Sequence, residues 1–243
     1  MLWGWLKMAI IEKLTAIAEA IRSKTNTTEK MTLDEMPSAI EGIQSGGEDF
    51  SRYAWTISLL PSEFATEKII LNLDNANTLA SLWYANNPTQ ANQCVKYIEV
   101  NCPRKVVSLQ HAFSSAYNKD KLLERITLNV DTSASNAFIR VFGYLSSLKI
   151  IDGTPLNFSS ATSVTNCFQE CYALEEVRLA EGTLAKTITF SWCSLLSDAS
   201  IQSIIDGLAT VETAQTLTLH ATVKAKLTEE QIAQITAKNW TLA

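Results

Sequence analysis

The chain holds only two histidines, His111 and His220, and eight glycines among 243 residues. Two histidines so far apart cannot build a multi-histidine metal centre, and so few glycines leave little backbone for cradling phosphates. No HExxH, GxSxG or glycine-rich phosphate motif occurs, and no catalytic Cys-His arrangement can be located. Basic residues are scarce too, with 20 Lys and Arg against 25 Asp and Glu for a net charge of −5. That balance offers no footprint for duplex DNA. Neither Arg104-Lys105 nor the group Lys119, Lys121 and Arg125 extends into a basic stripe, so nucleic acid is not an expected partner. No apolar stretch approaches the roughly 18 to 20 residues that span a bilayer. The run Met1 to Ile11 is split by Lys7, and no small-residue cleavage site follows before Glu12, so secretion by a signal peptide is not expected. The five cysteines, Cys94, Cys102, Cys167, Cys171 and Cys193, are an odd number, which argues against a disulfide framework and suits a reducing cytoplasm.

What is present begins with a helical stripe. Between Met8 and Lys24, Ile10, Ile11, Leu14, Ile17, Ala18 and Ile21 recur at the spacing of an amphipathic helix. Two heptads are marginal alone, so the stripe must lie on its own domain or pack against copies of itself. Ile10, Leu14, Ile17 and Ile21 are the candidate oligomerisation residues, and a trimeric bundle is the preferred form of the second choice. Thr32 and Glu35 then have capping-box spacing, and Pro37 suits the first position of a further short helix ending near Gln44. Ser45-Gly-Gly-Glu-Asp49 reads as a linker. The expected domains are therefore a helical assembly or anchor segment at 1–44, a linker at 45–49 and a second domain at 50–243.

Beyond residue 50 short β-type runs replace the helical pattern, and an internal repeat emerges. Phe142 is followed at +6 by Leu148 and at +9 by Ile151, while Phe168 has Leu174 and Val177 at the same offsets. The +3 slot holds Leu145 and Cys171. Phe190 has Cys193 at +3 and Leu196 at +6, and Phe113, with Ala116 at +3, opens a longer copy. Leu71-Asn-Leu73, Ile98-Glu-Val100, Ile126-Thr-Leu128, Val177-Arg-Leu179 and Leu217-Thr-Leu219 alternate as half-buried strands should. The unequal Phe spacings of 29, 26 and 22 suit a solenoid with tolerant loops better than a propeller of equal blades. In such a stack each coil adds one strand to a growing sheet, and Phe, the +3 residue and Leu pile up inside. Cys171 and Cys193 then serve as small buried hydrophobes, and no metal site is expected from them.

The C-terminus, from about 197 to 243, reads as a cap. Ser197 can N-cap a helix bearing Ile201, Ile204, Ile205 and Leu208, which Gly207 would end. Thr228 and Gln231 form a second capping box, with Leu227 and Ile232 placed as a hydrophobic staple. Asn239 can stop that helix in a left-handed conformation before a last extended segment, Trp240-Thr-Leu242. The fold class is thus an α+β solenoid, an irregular leucine-rich-repeat stack with a helical N-terminal segment and a helical cap.

Around Ala112-Phe113, Cys167-Phe168-Gln-Glu-Cys171-Tyr-Ala-Leu174 and Glu176-Val-Arg-Leu179 the chain resembles the BspA-type leucine-rich repeats of bacterial surface proteins, over about residues 66 to 220. Leu14-Thr-Ala-Ile-Ala-Glu-Ala-Ile-Arg22 with Met31-Thr-Leu-Asp-Glu-Met-Pro37 is similar to an N-terminal module of prophage-encoded proteins. Leu219 to Gln231 through Ala243 resembles the ends of phage tail or fibre-like proteins. The resemblance implies a non-enzymatic virion protein, of tail-fibre, baseplate or decorating type, made in the host cytoplasm. It would touch other virion proteins, or a host-surface protein or glycan. A phage-encoded intracellular protein that binds a host factor, or a bacterial adhesin, would suit the repeats as well. No cofactor and no catalytic residue is implied.

The repeat register assigns Asn72, Glu99, Thr127, Asp152, Arg178 and Thr218 to an outward sheet row, the candidate binding surface, although such a row is also what any half-wet sheet requires. Tyr117, Tyr144, Tyr172 and Trp192 lie near the repeated Phe positions and can stack on sugars. Glu175, Glu176 and Asp198 read as solvated surface, and both histidines as polar edge residues.

Overall fold

Alternating burial governs the strands. In a computed structural model, which describes residues 68–74, 76–82, 95–114 and 122–243, β2 (Tyr97–Cys102) and β3 (Arg125–Val130) bury every second side chain. By backbone contacts the chain divides into Met1–Glu48 and Asp49–Ala243, and all the described residues belong to the second unit. The expected N-terminal helices, the oligomerisation stripe Ile10, Leu14, Ile17 and Ile21, the linker, Cys94, Ala116 and Tyr117 lie outside the described residues.

Five strands, β1 (Lys68–Asn72), β2, β3, β4 (Ile150–Leu156) and β5 (Glu176–Leu179), form one parallel sheet whose spatial order is their sequence order. Each strand therefore pairs with the next segment of chain to arrive. The mixed α and β content and the parallel pairing agree with the sequence reading at that level. A second parallel sheet joins β6 (Ile188–Phe190), β7 (Gln215–Leu219) and β8 (Trp240–Leu242), so the expectation of a single growing sheet is corrected to two.

One hydrophobic core serves both, running from Leu71 to Trp240. Phe113, Phe142, Phe168 and Phe190 are fully buried and stacked in sequence order, with successive ring centroids 5.9, 5.5 and 4.6 Å apart. Their +3 partners Leu145, Cys171 and Cys193, and their +6 partners Leu148, Leu174 and Leu196, are fully buried as well. The connecting turns stack with them. His111 donates its backbone N–H to the Ile139 carbonyl at 2.9 Å, and Arg140 donates to Thr165 at 3.0 Å, so equivalent turns satisfy one another from layer to layer. His111, Arg140 and Asn166 take left-handed φ values of 55, 50 and 56° at those turns.

Gly153 marks a bulge in β4 that the alternation rule misses. Its φ is +91°, and a Cβ there would lie 2.3 Å from the Leu128 carbonyl oxygen, so only glycine fits.

The edge of β5 is closed by a helix. Ser197 caps α1 (Asp198–Gly207), as its sequence position suggests, and Ile201, Ile204, Ile205 and Leu208 are all buried. The Val177 and Leu179 N–H groups of β5 donate to Ser200 Oγ and Ser203 Oγ, each at 3.0 Å. Two serine hydroxyls thus stand where the carbonyls of a sixth strand would stand. Gly207 ends α1 without a left-handed turn; it is needed because a Cβ would meet Leu179 at 2.6 Å. Beyond β7 come α2 (Ala221–Lys224) and α3 (Glu229–Ala237), whose Thr228–Gln231 capping box is formed in both directions. Ile232 stays 42% exposed, so the inferred staple leaves one member in water. Asn239 adopts φ 63° and turns the chain into β8. Lys238 Nζ donates to the Ile205 and Asp206 carbonyls at 2.8 and 3.0 Å, so α3 satisfies the open carbonyls of α1.

Candidate binding surfaces

The outward face of the five-stranded sheet carries cross-strand ion pairs beside the exposed side chains of Ile70 and Tyr97. Lys68 Nζ on β1 lies 2.9 Å from Glu99 on β2, and Arg125 on β3 pairs with Asp152 on the adjacent β4. Alongside runs an asparagine ladder, in which Asn129 donates to Asn101 at 2.7 Å and Asn101 donates to Asn72 at 2.9 Å. Asn101 also reaches Glu99 at 3.2 Å. A shallow depression of about 340 Å³ opens on this face beside Lys68, Tyr97, Glu99, Arg125 and Thr127.

Pairing sets the electrostatics. The hydrogen bond from Lys68 holds the Glu99 carboxyl below its ordinary range. Burial works to raise that of Asp152, but the bonds from Arg125 and Thr127 prevail and hold it low. A charged ligand docking here must displace a partner already in place.

Of the six residues expected in one row, Glu99, Thr127 and Asp152 are direct cross-strand neighbours. Asn72 is not in their row. It pairs with Asn101, two residues beyond Glu99, and the place opposite Glu99 on β1 belongs to Ile70. Arg178 follows Val177, the β5 partner of Ile151, and donates to the Gly153 carbonyl at 2.9 Å, so it lies beside Asp152. Thr218 is on the second sheet, paired with Thr189.

That second sheet has a face of another kind. Thr187, Thr189, Thr216, Thr218 and Thr241 supply the polar positions between its buried Ile188, Phe190, Leu217 and Leu219. Thr189 pairs with Thr218, and Thr216 with Thr241, so the hydroxyls form short rows across the strands. The Thr216 N–H donates to Thr187 Oγ1 at 3.1 Å, and Thr187 Oγ1 donates to Gln215 at 3.0 Å. Sequence reasoning passed over these rows; the repeated Thr-x-Thr of 187–189 and 216–218 was the available signal.

Two aromatic side chains stand out of the stack at this end. Tyr172, four residues after Phe168, is 43% exposed, and Trp192, two after Phe190, is 40% exposed. Their rings meet nearly perpendicularly, centroids 5.7 Å apart. Tyr144 is half-buried.

The remaining reactive groups are quiet. Cys167, Cys171 and Cys193 are buried, and burial pushes their thiols up, that of Cys193 to about 12, which leaves no thiolate at neutral pH. Cys171 Sγ lies 3.1 Å from the Phe142 carbonyl of the preceding layer. His111 Nδ1 shares a hydrogen bond with Ser114 at 3.3 Å, and burial, then the nearby Arg140, lowers its pKa. His220 Nδ1 accepts from the Thr222 N–H and so caps α2. Glu175, Glu176 and Asp198 are exposed on the surface. Among the described residues no group of three or more His, Cys, Asp or Glu is placed to hold a metal, and no helix is long and apolar enough to cross a membrane.

The class these features define is a mixed α/β protein built on sequentially ordered parallel strands around a stacked aromatic core. No protein-family model matches the chain, and no curated protein or solved structure is found to be similar to it.

Proposed function

We propose that the chain from about residue 66 is an irregular leucine-rich-repeat solenoid of the BspA kind, and that the protein is a non-enzymatic structural or adhesive component of a bacteriophage particle. The observation that carries the architectural half is the column Phe113–Phe142–Phe168–Phe190, one ring per layer, with parallel strands added in chain order beside it. A stack of this type offers long polar faces, and the depression on its first sheet is shallow. The thiols of Cys167, Cys171 and Cys193 are protonated, Lys68–Glu99 and Arg125–Asp152 are paired on the sheet, and the strongest surface features suit contact more than chemistry.

The virion half rests on the resemblance of the N-terminal segment 14–37 and of the C-terminal cap. In this reading residues 1–44 anchor the protein as a homo-oligomer, a trimer by preference, and the solenoid faces a host surface or a neighbouring virion protein. Mass spectrometry of purified particles tests it. The polypeptide is expected at stoichiometric abundance, and its absence from particles rejects the proposal.

A further inference from the structure

Resting on that reading and naming its ligand, we infer that Tyr172 and Trp192, together with the adjoining threonine rows of the second sheet, bind an uncharged glycan.

The aromatic pair supplies the first observation. Large aromatic groups in a stacked core normally point inward, as all four column phenylalanines do, yet these two present about two fifths of their surface to water. The perpendicular rings, 5.7 Å apart, fix each other's orientation and form a flat face with a wall. Rigid aromatic rings give much contact area at little cost in conformational entropy. A pyranose, whose C–H groups make one side apolar while hydroxyls project around its edge, complements such a face.

The second observation is independent of the first. Uncharged hydrogen-bonding groups flank Trp192 along the chain: Thr189 Oγ1 donates to Ser191 Oγ at 3.0 Å, and Thr222 Oγ1 donates to the Ser194 carbonyl at 3.1 Å, while the Lys226 ammonium is engaged by the Leu196 carbonyl at 3.5 Å. Thr189 is the cross-strand partner of Thr218, so hydroxyls continue from the Trp192 turn on to the next strand. Hydroxyls both donate and accept, which matches sugar hydroxyls and does not select for charge.

The charge balance favours a neutral sugar. Burial raises the Tyr172 pKa, and the nearby Glu170 carboxylate raises it further, which places negative charge at the rim. The whole chain carries −5. Both features repel an anionic polysaccharide, whereas a neutral one meets no penalty. The first sheet exposes Tyr97 alone, among charges such as Lys68, Glu99 and Arg125, where a neutral ligand would have to compete with ion pairs already made.

Native electrophoresis of the full-length protein through gels containing a soluble neutral polysaccharide (dextran, laminarin, galactomannan or hydroxyethyl cellulose), or anionic alginate, tests the inference. Retardation is expected in at least one neutral gel and not in alginate. Trp192→Ala and Tyr172→Ala are each expected to weaken retention by about tenfold or more, as loss of a central aromatic contact does. Trp192→Phe should keep a measurable part, and Val107→Ala, at an exposed site on another part of the surface, should match the native chain. Thermal unfolding of each variant identifies any that fail to fold. Passage through every neutral gel without retardation, stronger retention by alginate, or native retention by folded Trp192→Ala would each overturn the inference. Glycan failure with the protein present in particles removes only the ligand; glycan binding by a protein absent from particles removes only the virion assignment.

Discussion

The two sheets share one core and differ in what they show to water. The first presents ion pairs and an asparagine ladder, the second presents threonine hydroxyls beside an aromatic pair. The inward rules are strict, since Phe142, Phe168 and Phe190 and their +3 and +6 partners are all fully buried in the one core. The outward positions escape that constraint, and two chemistries have settled on one stack. Specific recognition is therefore to be sought outside, where the faces diverge, and most of the stability inside, where they agree.

The sharpest way to break this comparison is at the column. Phe142 has aromatic rings on both sides, so Phe142→Ala should cost about 3–5 kcal/mol through lost burial and a cavity. If the core is common, hydrogen exchange should speed up in β3 and in β7 together. Protection lost from the first sheet alone would show two independent units. Gly153→Ala should act differently, because the left-handed φ and the approach to Leu128 confine its damage to β3 and β4. A loss of about 1–3 kcal/mol is expected from backbone strain and displacement. Exchange in β6 to β8 should hold near its native rate.

How much of this was legible follows from the same division. The column could be read because Phe142, Phe168 and Phe190 each have Leu at +6, and the first two meet a strand residue at +9. The caps could be read because Ser197, Thr228, Gln231 and Asn239 announce helix ends through local chemistry. The register of β1 could not. Leu71-Asn72-Leu73 alternates identically whether set against Ile98-Glu99-Val100 or, as it is, against Val100-Asn101-Cys102. A two-residue slip keeps every side chain on its proper face, so burial pattern alone is blind to it; the asparagine ladder fixes it in three dimensions. The second sheet escaped because β6 has three residues, too short for alternation to register. The outward row of Asn72, Glu99, Thr127, Asp152, Arg178 and Thr218 is thus part true neighbours and part residues from other rows.

Against the edge of β5 lies α1, and its serines are the next place to apply pressure. Ser200 Oγ accepts from the Val177 N–H and donates to the Glu175 carbonyl at 3.0 Å. In Ser200→Ala the Val177 N–H loses its partner beside a buried side chain, at a cost of about 1–3 kcal/mol, while the Glu175 carbonyl keeps the Ser197 N–H at 2.9 Å. The effect should appear as faster exchange at Val177 with β7 unchanged. Ser200→Thr, which keeps the hydroxyl, should recover part of the loss. An unprotected β5 in the native chain would remove the claim that hydroxyls close this edge.

Acid should separate the sheets most gently. On the first, Glu99 is held low by Lys68, Glu124 by Lys149, and Asp131 by Ser133, while Asp152 is held low by Arg125 against the opposing pull of burial. A carboxyl whose pKa is depressed by folding stabilises the fold above its unfolded pKa, and that contribution is lost as pH falls through the folded value. The window therefore opens below the ordinary carboxylate values of 4.5 for Glu and 3.8 for Asp. The threonine rows hold nothing that titrates there. Because these pairs are largely exposed, the loss should be the smallest of the four, and salt should reduce it further. Exchange followed downward from pH 5, corrected for intrinsic rates, should loosen β1 to β4 before β6 to β8. Loosening of both sheets together would mean that the acid response comes from the whole chain's charge and not from the paired face.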